Sequence, residues 1–107
     1  MTRQKMKLSD FGTGDGESTL QCPNCGSNYL HHGQIDVFNR NEDSENGCHF
    51  RVTGNRVELD NQMTANPSSR RQGLTISLSC EGCKAAIFLS LSQHKGITNI
   101  WMDYCLS

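Results

Sequence analysis

Apolar and polar residues alternate with a period of two along much of this chain, a pattern that predicts strands rather than helices. The cleanest run is Leu74-Thr75-Ile76-Ser77-Leu78-Ser79-Cys80, with Leu74, Ile76 and Leu78 on one side and hydroxyls on the other. Such a strand delivers Cys80 on its apolar face. In Ala85-Ala86-Ile87-Phe88-Leu89-Ser90-Leu91-Ser92, residues Ile87, Leu89 and Leu91 share a face. Residues 29–40 alternate less strictly, with apolar groups on both faces, which implies partial burial of each. Cys48, Phe50 and Val52 alternate with His49, Arg51 and Thr53; Gly54-Asn55 then supplies a two-residue turn and residues 56–60 return. A β-hairpin is therefore expected over 48–60. The same alternation makes a buried core thiol the plain expectation for Cys48, with a second metal site or redox pair as the alternative. A last strand is expected from 97 to 104, carrying Trp101. No segment shows an apolar stripe at 3.6-residue spacing over ten positions, so the fold class is all-β and mostly antiparallel.

Polar and glycine-rich stretches divide the chain. Residues 1–19 lack apolar periodicity, and Gly12-Thr13-Gly14-Asp15-Gly16 excludes a helix. They are expected as a flexible N-terminal tail in which Leu8 and Phe11 could dock, leaving 20–107 as a single domain. A Gly-x-Gly-x-Gly run with no strand before it and no helix after it does not read as a phosphate loop. Asn41-Glu42-Asp43-Ser44-Glu45-Asn46-Gly47 is an acidic loop. Residues 61–73 form a longer one, of a length that is either functional or disordered in a compact domain.

With 107 residues there is room for one small domain, whose core is marginal without a staple such as a structural metal. Hydrophobic residues at 35% and charged residues at 20% exclude a disordered polyelectrolyte. No run reaches the roughly 18 apolar residues of a membrane span. The charged start is not followed by the apolar segment of a signal peptide. A reducing, cytoplasmic location is expected, where paired cysteines are metal ligands or redox groups more often than disulfides. The formal charge of −1 would fall to roughly −3 with four thiolates and a divalent ion counted. That balance disfavours a protein holding nucleic acid by bulk positive charge.

The concentrated chemistry lies in two C-x-x-C pairs, Cys22-Pro23-Asn24-Cys25-Gly26 and Cys80-Glu81-Gly82-Cys83-Lys84. Together they supply the four thiolates of a tetrahedral zinc site. Pro23 fixes part of the first turn, Gly26 can take the positive φ that brings N–H groups to sulfur, and Gly82 gives the second turn similar freedom. Redox chemistry and iron–sulfur ligation are the competing readings. A redox C-x-x-C expects a βαβ context, which is absent, and it leaves the second pair without a role. Four thiolates also leave no open position for a catalytic water. Cys48, Cys105, His31, His32, His49 and His94 show no recognised ligand spacing. Ser68-Ser69-Arg70-Arg71, behind Pro67, is the best candidate contact surface, since guanidiniums beside hydroxyls bind phosphate or carboxylate. The plain alternative pairs these arginines with Glu42, Asp43 and Glu45.

The first C-P-N-C-G, a β insertion and a strand entering C-E-G-C resemble the zinc-ribbon superfamily over roughly residues 20–92. Asn66-Pro67-Ser68-Ser69-Arg70-Arg71-Gln72-Gly73-Leu74 followed by a strand is similar to small bacterial and phage or prophage proteins of that kind. The resemblance implies a ribbon of antiparallel strands with a β-hairpin between the two cysteine turns. It also implies structural Zn2+ on Cys22, Cys25, Cys80 and Cys83. The expected function is a non-enzymatic module binding another protein as a small accessory or inhibitory factor. The alternative is a nucleic-acid-binding ribbon using Arg51, Arg56, Arg70 and Arg71. Near-neutral charge and the lack of an aromatic-plus-basic pattern favour the protein partner.

Overall fold

The computed structural model describes residues 2–9 and 16–106. Among these residues nine strands follow in order: β1 Thr2–Gln4, β2 Lys7–Ser9, β3 Thr19–Gln21, β4 Leu30–Asn39, β5 Cys48–Thr53, β6 Arg56–Asp60, β7 Gly73–Cys80, β8 Ala86–His94 and β9 Ile97–Cys105. Seven make one antiparallel sheet in the order β1-β9-β8-β7-β4-β5-β6, and β2 pairs with β3 alone. No helix occurs among the described residues. The architecture is the all-β, antiparallel one expected, with the β5–β6 hairpin inserted between the cysteine pairs.

Register turns the alternation of each strand into two unlike faces. On one face the paired positions read Ile100, Leu91, Leu74, Val37, Phe50, Leu59 from β9 across to β6. The neighbouring row reads Met102, Leu89, Ile76, Ile35, Val52, Val57. The opposite face carries Trp101, Ser90, Thr75, Asp36, Arg51 and Glu58 in one row. The weak alternation of residues 29–40 has a local cause. A bulge between His32 and Ile35 shifts the register against β7, so even-numbered residues join the apolar face before it and odd-numbered ones after it.

The core lies at one end of the apolar face. Cys22, Leu78, Cys80, Ala85, Ile87, Leu89 and Met102 are buried there, with Met6, Leu20, Leu30 and Tyr104 packed against them. The β2–β3 pair thus roofs the end where β7 finishes and β8 begins. Beyond that roof the face opens to solvent, and Ile100, Val57 and Leu59 are 45%, 58% and 67% exposed.

Two expectations change. Described parts of the stretch expected as a tail are paired strands: β1 extends the sheet beside β9, and β2 sets Leu8 opposite Leu20. Short segments like these have no periodicity to read, because their partners are remote in sequence. Phe11, Gly12 and Gly14 lie outside the described residues. Cys48 shares a face with Phe50 and Val52, as alternation requires, but that end of the face has no roof, so the thiol is exposed. Cys105 is exposed as well.

Candidate metal centre

The two C-x-x-C segments fold into matching turns. In the first, which leaves β3, the Gly26 N–H donates to the Cys22 carbonyl at 2.9 Å and the Cys22 N–H to the Ser27 carbonyl at 2.9 Å. In the second, which leaves β7, the Lys84 N–H donates to the Cys80 carbonyl at 3.1 Å and the Cys80 N–H to the Ala85 carbonyl at 3.4 Å. Each turn ends on a left-handed residue, Gly26 at φ 80° and Lys84 at φ 63°. Backbone N–H groups then face sulfur: Asn24 and Cys25 toward Cys22 Sγ at 3.4 and 3.5 Å, and Gly82 toward Cys80 Sγ at 3.3 Å. The role expected of Gly82 is therefore taken by Lys84. Gly82 serves the site by lacking a side chain, since a Cβ there would sit 3.2 Å from Cys25 Sγ and 3.6 Å from Cys80 Sγ.

Sheet pairing brings the turns together. Leu30 at the start of β4 lies opposite Cys80, and the Glu81 N–H donates to the Tyr29 carbonyl at 3.1 Å. Residues separated by 54 others in sequence thus share one corner. The four Sγ atoms lie within 4.8 Å of one another and could hold a metal ion. Cys22 Sγ is 3.6 Å from Cys83 Sγ, and Cys25 Sγ is 3.5 Å from Cys80 Sγ. Cys22 and Cys80 are buried in the core, Cys83 is half-buried and Cys25 faces solvent. Among the described residues this is the one group of His, Cys, Asp and Glu placed to hold an ion.

Without metal the sulfurs divide their protons. Burial pushes the Cys22 thiol up against the pull of the Cys25 and Asn24 N–H groups. The Ser27 N–H pulls the Cys25 thiol down, but the adjacent Cys80 sulfur and burial outweigh it and push it up to about 12. The Asn24 side chain and then the Ala85 N–H pull Cys83 down to about 6. Cys80 is also lowered: burial opposes ionisation, and the Cys83 and Gly82 N–H groups and the Cys25 thiol overcome it. The thiols of the first turn therefore hold their protons more tightly than those of the second. An incoming cation displaces the protons still held, so binding weakens in acid.

The other candidate residues sit at the opposite end of the sheet. The Arg40 guanidinium donates to three carbonyls, those of Arg71 at 3.1 Å, Ser44 at 3.1 Å and Ser68 at 2.9 Å. Ser68 is buried: its hydroxyl donates to the Gln93 carbonyl and accepts from the Arg71 N–H, both at 2.9 Å. Asn66 Nδ2 donates to the Arg71 carbonyl at 2.8 Å. The long loop is accordingly tied down. Arg70 pairs with Asp43 and Arg71 with Glu42, the plain alternative read from the sequence. The Arg70 hydrogen bond holds the Asp43 carboxyl below its usual range. Of the four residues proposed as a contact surface, Ser69 and Arg70 are the exposed ones.

Sequence reading missed a charged cluster on the polar face. Asp36 is 7% exposed and its Oδ1 accepts from His49 Nε2 at 2.7 Å and from Arg51 Nε at 2.7 Å. His49 is buried, stacks on Phe38 and meets Asp60 through Nδ1 at 2.9 Å. Burial raises the Asp36 pKa, but hydrogen bonds from Arg51, His49 and Gln34 outweigh it and hold the carboxyl below its ordinary value. Matching parity of Asp36 with Arg51 across a hairpin pair was the available signal, obscured by the bulge in β4. On the same face a groove of ≈ 460 Å³ runs between Arg51 and Trp101, with Phe88, Thr75, Ser77 and Ser90 along it. Arg3 lies over the Trp101 ring at 3.8 Å, so an aromatic-plus-basic combination does exist, assembled from both ends of the chain.

No protein-family model matches the chain, and no curated protein or solved structure shows significant similarity to it. Among the described residues, no helix is long and apolar enough to cross a membrane.

Proposed function

We propose that this chain is a non-enzymatic interaction module of the cytoplasm whose fold is fastened by a structural zinc ion. The observation that carries the metal reading is the pair of matching turns that bring four sulfurs into one corner. Zinc held by thiolates at about 2.3 Å has sulfurs about 3.8 Å apart, close to the 3.5 and 3.6 Å separations here. Cys22, Cys25, Cys80 and Cys83 would hold the ion, and N–H groups directed at sulfur support the thiolate state. Four protein ligands leave no place for water, so the ion serves the fold rather than a reaction. Elemental analysis of purified protein tests this reading: about one zinc per chain is expected, and iron or no metal overturns it.

The interaction reading rests on the unroofed part of the apolar face beside a loop held rigid by Arg40. An apolar surface of this kind marks a protein partner, consistent with a small accessory or inhibitory factor. Affinity capture should recover one stoichiometric protein, and Leu91→Asp should abolish capture while preserving the circular dichroism spectrum. The groove with Arg3, Trp101 and Arg51 favours a second reading, a single-stranded nucleic acid stacked on the polar face. Binding of an oligonucleotide that weakens steeply with salt and is lost in Trp101→Ala would replace the protein partner with this one.

A further inference from the structure

Among the described residues strand β6 is one edge of the seven-stranded sheet, and all five of its residues are exposed. Edge strands usually resist pairing by being short, bulged, charged, or interrupted by proline. β1, at the opposite edge, is three residues long. β6 is a regular five-residue strand with no bulge or proline, its charges Arg56, Glu58 and Asp60 are of both signs, and its two apolar side chains, Val57 and Leu59, are more than half exposed. Its backbone phase follows from the hairpin. Thr53 and Arg56 flank the Gly54-Asn55 turn and, as the closing pair of a two-residue hairpin, exchange backbone hydrogen bonds. Arg56, Glu58 and Asp60 therefore direct their backbone groups at β5, and Val57 and Leu59 direct theirs outward.

The sequence of this edge, Arg56-Val57-Glu58-Leu59-Asp60, complements its own reversal. Centred on Glu58, an antiparallel copy sets Arg56 opposite Asp60 of the second copy, and Val57 opposite Leu59 of the second copy. We propose that β6 is a self-recognition edge through which a second copy of this chain pairs in antiparallel register about Glu58. Outward N–H and C=O groups of Val57 and Leu59 then bond across the axis, and the ion pairs form on the polar face. One contact is adverse, Glu58 against its own counterpart, and in each copy Arg51 stands beside it on β5. The charge pattern selects a second copy over an unrelated strand, and the two-fold relation closes the assembly at a dimer. The pairing depends on neither the metal nor the partner proposed above, and it leaves the loop end free.

Sedimentation equilibrium on the full, metal-loaded chain tests the edge. Wild type is expected to dimerise reversibly, and Arg56→Asp to weaken association about tenfold or more, because attractive cross-strand pairs become repulsive. Asp60→Arg should weaken it similarly. Because Asp60 also meets His49, circular dichroism must first show each variant folded. Mixing Arg56→Asp with Asp60→Arg should restore association as a heterodimer, since each variant then supplies the charge the other lacks. Glu58→Gln should tighten the dimer. A wild type that stays monomeric at millimolar concentration, a mixture that fails to associate, or a Glu58→Gln variant that loosens the dimer would overturn the proposal.

Discussion

Where β7 finishes and β8 begins, the chain is closed by sulfur: two turns of the same hydrogen-bond pattern place four thiols in one corner. Where β4 finishes and β7 begins, it is closed by one guanidinium, with Arg40 donating to carbonyls of residues 44, 68 and 71. Both ends solve the same difficulty: with no helix among the described residues, the loops of the seven-stranded sheet are fixed by local bonds. They differ in what supplies the bond strength. The sulfur end gathers four thiols that could hold an ion, whereas the arginine end is closed by donors and acceptors of the chain itself. Loss of metal should accordingly free one end and leave the other formed.

The largest effect tests that asymmetry. Chelation, or Cys80→Ser, should cost more than about 4 kcal/mol in the thermal melt, with amide signals of residues 20–30 and 78–86 lost while those of residues 66–72 keep their positions. An unchanged melt after metal removal would show that the sulfur cluster is not a fastening. Next comes Arg40→Ala, expected to lose about 2–4 kcal/mol because three backbone carbonyls lose a charged donor. Amide chemical shifts should move at residues 66–72 and stay fixed at 22–27. Arg40→Lys should recover little of the loss, as one ammonium cannot reproduce the planar fork.

Between the two ends lies Asp36, whose carboxyl is held below its ordinary value mainly by Arg51 and His49 against the effect of burial. A depressed folded pKa stabilises above the unfolded value of about 3.9 and is lost as pH falls through the folded one. Asp36→Asn should thus cost about 2 kcal/mol at pH 7 in denaturant titrations, from buried donors left without their acceptor. The gap to wild type should narrow as pH falls through the depressed folded pKa. A constant gap would assign the effect to packing.

The smallest effects compare the two sulfur turns. Gly26→Ala should cost about 1 kcal/mol, the penalty of a side chain at positive φ. Lys84→Gly should change stability by no more than about 0.5 kcal/mol, because relieved strain is offset by a freer unfolded chain. Both variants should still bind one equivalent of metal, as read by thiolate charge-transfer absorbance with a cobalt probe. Failure in either would mean that the turns are not equivalent.

Much of the fold was legible because its strands are long and regular: β7, β8 and the β5–β6 hairpin follow directly from alternation and a two-residue turn. The four cysteines were legible as a set for a chemical reason, since C-x-x-C fixes local geometry whatever lies between. Arg40 gave no such signal. Its three acceptors are backbone carbonyls, which every residue possesses, so no pattern of side chains announces them. Cys48 is exposed where burial was expected because alternation says which residues share a face and not which part of that face is covered.

Local sequence, then, determined the strands, their unlike faces and the two turns that carry the sulfurs, because each depends on neighbours within a few residues. Tertiary structure alone decided that β1 and β2 join the fold, that the bulge in β4 reverses its faces, and that Asp36 meets His49 and Arg51. It also decided where the apolar face ends its cover and opens to solvent at β6. Those outcomes depend on register between remote strands, which is set by the summed fit of many side chains and is written at no single position.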